Sequence, residues 1–134
     1  MELADSHGHL TMVFPGPEAR FPTRAATDDE VRDQVSRARD AGVTRILVPA
    51  TTLDDAPRVV EVAERYDGVF AAVGVHPHET RGFDEDRVIP ALERLAASAK
   101  VVAVGEIGLD YFYDFAPKDD QKRALAAQLK LAER

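Results

Sequence analysis

The sequence has no cysteine and no tryptophan in its 134 residues. Without cysteine there is no disulfide frame and no thiolate zinc site, so any metal would sit on histidine and carboxylate. Basic residues are in the minority: 17 Lys and Arg stand against 24 Asp and Glu, a formal net charge of −7. That balance argues against a basic surface that grips nucleic acid by neutralising phosphates. It leaves open a nucleic-acid substrate whose phosphates are met by bound metal ions. No apolar run approaches the roughly 18 residues of a membrane span. The opening MELADSHGHL carries neither the basic nor the long apolar segment of a signal peptide. The expectation is a cytoplasmic enzyme or binding domain with no membrane contact. No glycine-rich phosphate loop follows any expected strand, which counts against an open doubly wound nucleotide-binding sheet.

The chain is 45% hydrophobic, which is too apolar for disorder and, at this length, enough for one domain with a core. Its apolar residues alternate between two periods. Short β-branched runs at Thr44–Ala50, Val69–Val75 and Val101–Val104 read as strands, and Met1–Ser6, short and ending on polar residues, suits a first one. Between them lie helical patterns. Thr27-Asp28-Asp29-Glu30 has the form of a capping box, with Val31, Val35 and Ala38 on one face and Gly42 as the stop. Asp54 can cap a second helix, with Pro57 in its first turn and Val59, Val62, Ala63 and Tyr66 as its buried stripe. In the third, Pro90 is expected to separate a short turn, Asp84–Ile89, from the main helix. A fourth helix opens at Lys118 or Asp119, with Leu125, Leu129 and Ala132 as its core face. Residues 11–26, with three prolines and no period, read as a long loop. The order β-α-β-α-β-α-β-α implies a parallel sheet covered by helices.

Polar clusters follow three of the strands. The first is Asp5-Ser6-His7-Gly8-His9. Residues at i and i+2 of an extended segment point the same way, so both imidazoles can face one ion, and Asp5 could orient one of them. The second is His76-Pro77-His78-Glu79. In the third, Val101–Val104 ends at Gly105 and a carboxylate, Glu106, follows at once, with Asp110 and Asp114 beyond. All four histidines of the chain fall in two of these clusters, and parallel strands bring their carboxyl ends to one face. His7, His9, His76 and Glu106 would then converge. Two histidines and a carboxylate suit Zn²⁺, Mn²⁺ or Mg²⁺ with positions left for water. An ion there could activate a water for attack on an electrophile, and a bridging Glu would make a two-metal centre.

DSHGHL, GVHPHE and VGEIGLDYFYD, followed by Pro117, Gln121 and QLKLAER, together resemble the TatD family of metal-dependent hydrolases, many of them DNases. The resemblance covers nearly the whole chain, least so Thr11–Ala26. It implies an amidohydrolase-like TIM barrel and hydrolysis of DNA or another phosphodiester near its 3′ end. By position it implies that His7 and His9 ligate one divalent ion and that Glu106 bridges it to a second. It places His76, as a catalytic and substrate-binding residue, near the substrate phosphate, with Asp110 and Tyr111 in the loop beside it. Two features depart from the family: Thr11 stands where an acidic residue is usual, and a (β/α)₈ barrel takes about 250 residues. Residues 1–134 are thus expected to form a single incomplete barrel domain, a half barrel of four βα units. Two further His ligands and a late Asp that the family draws from its second half are not in this sequence. Its open strand edges would need the missing half or self-association, and hydrolysis by this chain alone would be weak or nil. Two alternatives are an amidohydrolase-like C–N or ester hydrolase and a non-catalytic metal-binding half-barrel fragment.

Overall fold

The computed structural model describes residues 2–134, so Met1 of the expected first strand lies outside the described residues. Four parallel strands form the sheet: β1 (Leu3–Asp5), β4 (Val43–Pro49), β5 (Val69–Val73) and β6 (Val101–Val104), lying in that order. Neighbours in the sheet are thus successive in the chain, and the order never reverses. A doubly wound sheet reverses at a switch point. With right-handed crossovers, this order places every connecting helix on the same face, as in a barrel wall. The helices are α1 (Asp28–Asp40), α2 (Ala56–Arg65), α3 (Glu85–Ala96) and α4 (Lys118–Ala132). Among the described residues no helix is long and apolar enough to cross a membrane.

Local chemistry sets the helix ends. The Thr27 hydroxyl accepts from the Glu30 N–H and the Glu30 carboxylate accepts from the Thr27 N–H, so the capping box forms as expected. The cap of α2 is Asp55 rather than Asp54, and its carboxylate is engaged by the Thr51 and Thr52 backbone instead of its own helix. Pro90 does not divide the third helix. Asp84 accepts from the Arg87 N–H, and α3 then runs unbroken through the proline. Pro90 lies on the exposed face, where water can serve the carbonyl that its missing N–H leaves free. Residues 11–26 are not wholly loop: β2 (Met12–Val13) pairs antiparallel with β3 (Arg24–Ala25) in a small hairpin beside the site.

The core lies between sheet and helices. Val31 and Val35 of α1, Val59 and Val62 of α2 and Leu92 of α3 are at most 2% exposed and pack on Ile46, Val48 and Val73. Each such side chain contributes about 1.5–3 kcal/mol of burial. Gly68 makes the tight turn into β5 with φ +74°, and a Cβ there would stand 2.2 Å from the Thr44 carbonyl oxygen. Two readings of burial are corrected. The face of α4 that packs inward carries Gln121, Ala124, Gln128 and Leu131, while Leu129 is 50% exposed. The glutamines can be buried because the loop backbone satisfies their amides, as described below. Val101–Val104, expected within a sheet covered by helices, is an edge: Val102 is 58% exposed, and every residue of β1 is exposed at the other edge.

Candidate metal centre at the carboxyl ends of the strands

The segment after β1 continues alongside β4, where the Gly8 N–H donates to the Leu47 carbonyl (2.9 Å). A Cβ at Gly8 would press on Ile46 Cγ2 at 3.0 Å, so the small residue lets His7 and His9 sit low over the sheet. Asp5 does not orient an imidazole. Its carboxylate accepts from the His7 backbone N–H (2.9 Å) and fixes the bend of the chain instead. At the far edge, the Gly105 N–H donates to Val73 and the Glu106 N–H donates to Ala50 (2.9 Å). The second of these bonds turns Glu106 back across the strand ends.

His7 Nε2 and His9 Nε2 are 3.2 Å apart. Glu106 Oε2 lies 3.5 Å from the first and 3.8 Å from the second. The ligand atoms of these three residues fall within 4.8 Å of one another. Two nitrogens bound at about 2.0–2.1 Å to a single ion stand roughly 3–3.4 Å apart, so the two imidazoles already have the spacing of a shared ion. Burial, and then the neighbouring His7, hold the His9 pKa below its ordinary value, which keeps it neutral and able to offer a lone pair. Donor type, spacing and protonation fit a divalent cation.

His76 stands on the other side of Glu106, its Nε2 3.6 Å from Oε1. Its Nδ1 accepts from the His78 N–H (3.1 Å), which leaves the proton of the neutral ring on Nε2. Burial lowers its pKa against the pull of Glu106. His76 therefore presents an N–H to the centre rather than a lone pair.

Asp110 is not in the cluster. It pairs with His78 Nε2 at 2.6 Å and also accepts from the Phe112 and Tyr113 N–H groups. Those contacts, the His78 hydrogen bond foremost, push its pKa down. Tyr111 faces outward, 48% exposed, with the Lys118 ammonium 5.0 Å from its ring centre. His9, His76, His78 and Glu106 line one cavity of about 330 Å³.

Sequence reasoning missed three positioning residues. His78, seen as part of a cluster, had no role assigned, and it is what anchors the Asp110 loop. Gln121 accepts from the Asp110 N–H and donates to the Asp110 and Ala116 carbonyls. Gln128 accepts from the Val75 N–H (2.7 Å) and donates to the Val75 and Ala124 carbonyls. The signal was there in two glutamines seven residues apart on one helix face. His9 Nδ1 and Thr11 Oγ1 are buried without a partner among the described residues.

A histidine pair and a glutamate gather at the carboxyl end of a parallel α/β sheet, the end at which TIM-type barrels carry their sites. Comparison places the chain more closely. The family profile for TatD related DNases matches residues 4–134, and the chain belongs to that family. It is 36% identical over 110 residues to the 3′-5′ ssDNA/RNA exonuclease TatD of Cronobacter sakazakii, covering 82% of this chain and 41% of that protein. It is 45% identical over 103 residues to the uncharacterized metal-dependent hydrolase YjjV of Escherichia coli K12, covering 75% of this chain and 39% of the relative. The crystal structure of YjjV, described as a TatD homologue, superposes with a TM-score of 0.75 at 39% identity, over 98% of this chain and 46% of that one. The chain thus spans less than half the length of the relatives it matches.

Proposed function

We propose that this chain carries the first half of the active centre of a metal-dependent phosphodiesterase acting on single-stranded nucleic acid. The observation that carries the proposal is the convergence of His7 Nε2, His9 Nε2 and Glu106 Oε2 within 4.8 Å. Relatives named as an ssDNA/RNA exonuclease and as a metal-dependent hydrolase support the reaction class. A divalent ion held by these residues would supply a water activated for attack on phosphorus. His7, His9 and Glu106 are the residues that would hold such an ion. The His76 Nε2–H is aimed at the same space and donates to a phosphate oxygen, which holds the substrate and stabilises charge as it develops. The His78–Asp110 pair anchors the loop that carries Tyr111, and Tyr111 stands at the rim rather than in the centre.

A TIM-type barrel has eight strands and this chain supplies four. In this reading residues 1–134 are a half barrel, and further strands pair with β1 and β6, from a longer polypeptide or from a second copy. Either source would cover Leu3 and Val102, but only strands of a longer polypeptide would bring the ligands that complete the ion shell, since a second copy repeats His7, His9 and Glu106. The test is calorimetric titration with Mn²⁺ alongside cleavage of single-stranded DNA, compared with cleavage of a small amide. Mn²⁺ binding lost in Glu106→Gln and His9→Ala supports the centre. Undiminished binding in Glu106→Gln would overturn it, and amide cleavage without DNA cleavage would overturn the substrate.

A further inference from the structure

Beside the metal ligands, two loops bring aromatic rings together. Phe21, from the β2–β3 loop, meets Tyr113 edge-on at 5.8 Å and Phe115 at 5.9 Å, both from the loop after β6. Tyr113 and Phe115 stack at 5.3 Å, and the His78 ring packs on both of them. Packing the two loops together would account for rings that are hidden. Phe21 and Phe115, however, remain 48% and 46% exposed, and they lie on loops beyond the strand ends, not on the β1 and β6 edges.

Phe21 divides two cavities. On one side is the space of about 330 Å³ that holds His76 and Glu106, with Arg20 in its wall. On the other is a space of about 480 Å³ bounded by His78, Glu79, Arg81 and Phe115. The platform itself holds both cations: Arg20 donates to the Tyr113 hydroxyl (2.8 Å) and Arg81 to the Phe115 carbonyl (2.9 Å). In a chain of net charge −7, two arginines tied to exposed aromatic rings form a local exception. Aromatic faces flanked by positive charge are the means by which single strands are held without sequence preference.

We propose that Phe21, with Tyr113 and Phe115, stacks the base of the nucleotide that carries the scissile phosphate, while Arg81 receives the neighbouring phosphate. This rests on the hydrolase reading above and names how its substrate is held. A duplex end would have to unpair before its base could reach the platform, so single strands are preferred.

The experiment uses a short thymidine oligonucleotide with 2-aminopurine at its 3′ end and a phosphorothioate at the last linkage, titrated with the chain in Mn²⁺. Stacking quenches 2-aminopurine. The expected result is saturable quenching, with affinity weakened by about five- to 150-fold in Phe21→Leu and restored in Phe21→Tyr. Phe115→Leu should act in the same direction and serves if Phe21→Leu fails to fold. Unchanged quenching and affinity in both leucine variants would overturn the proposal, as would equal binding of an oligonucleotide whose last nucleotide is abasic. Binding of Mn²⁺ itself is followed in parallel by calorimetry, since half of an active centre is expected to hydrolyse weakly or not at all. If quenching persists but no Mn²⁺ binds, the hydrolase reading fails and the platform stands. Mn²⁺ binding without base-dependent quenching sinks the platform alone.

Discussion

Gly74→Ala tests how the sheet sets Glu106. Gly74 follows β5 directly and Gly105 follows β6, and the two backbones touch there. A Cβ on residue 74 would stand 2.8 Å from the Gly105 carbonyl carbon, 2.9 Å from its oxygen and 3.0 Å from its Cα. These are backbone atoms and cannot rotate away. An ordinary contact begins at 3.4 Å, so the two strand ends must part by about 0.6 Å. Overpacking of this kind costs about 1–3 kcal/mol. The same displacement works against the Gly105 N–H bond to Val73 (3.0 Å) and the Glu106 N–H bond to Ala50 (2.9 Å), which aim the Glu106 side chain. Metal–ligand distances tolerate about 0.2 Å, so a shift of this size also weakens the ion site, by about tenfold or more in Mn²⁺ affinity. Urea unfolding should show a lower midpoint at unchanged slope, and calorimetry the weaker binding. Gly16→Ala is the control, since nothing lies within 4 Å of a Cβ there. If Gly74→Ala were as stable as the parent and bound Mn²⁺ equally well, the close approach would not be what places Glu106. If stability fell while affinity held, the packing argument would survive and the link to the ligand would not.

Gln128→Leu removes the partners of both the Val75 N–H and C=O, and stranded buried backbone groups should cost about 2–4 kcal/mol in urea unfolding; a loss below about 0.5 kcal/mol would contradict this. His9→Ala should lower Mn²⁺ affinity by more than the 10–100-fold typical of an outer-sphere partner, whereas Asp110→Asn, which touches His78 and neither the ion nor a candidate ligand, should change it by less than that. Equal losses in the two variants would refute this assignment of roles. Glu30 has its pKa lowered from 4.5 to about 2, first by Arg24 and then by the Thr27 N–H. A folded pKa below the unfolded one means stabilisation that is full above about 4.5 and lost as pH falls towards about 2. Glu30→Gln should therefore flatten the acid limb of the Tm–pH profile across that window, and a limb parallel to the parent's would count against it.

The fold was legible in the sequence wherever one physical signal acted alone. The β-branched runs became β4, β5 and β6, the short opening segment became β1, and the capping box at Thr27 formed with both of its hydrogen bonds. Readings failed where a second signal competed with hydrophobicity. On α4 the leucines pointed to one face, but the loop carbonyls and amides around Val75 and Asp110 needed donors and acceptors, and the glutamine face turned inward to supply them. Pro90 looked like a break because a proline inside a helix removes a hydrogen bond, and on a solvent face that cost is small. Residues 11–26 hid a hairpin whose strands are only two residues each, too short for any periodicity to reveal.

The arrangement of the candidate centre follows the same division. Which residues gather is a matter of topology: strand ends of a parallel sheet share a face, so His7, His9, His76 and Glu106 meet whatever their separation in the chain. What each does once there is decided by hydrogen bonds that sequence does not display. His76 and His9 are both histidines beside Glu106, yet the His78 backbone N–H on His76 Nδ1 makes its other nitrogen a donor, while His9 Nε2 faces His7 at the spacing of a shared ion. A variant that removed the His76 imidazole should therefore leave Mn²⁺ binding close to that of the parent and reduce turnover of a phosphodiester. His76→Gln, whose amide keeps an N–H, should recover part of the turnover lost in His76→Ala. Loss of Mn²⁺ affinity in His76→Ala as large as in His9→Ala would show that His76 is a ligand, and the tautomer argued from its backbone contact would then be wrong.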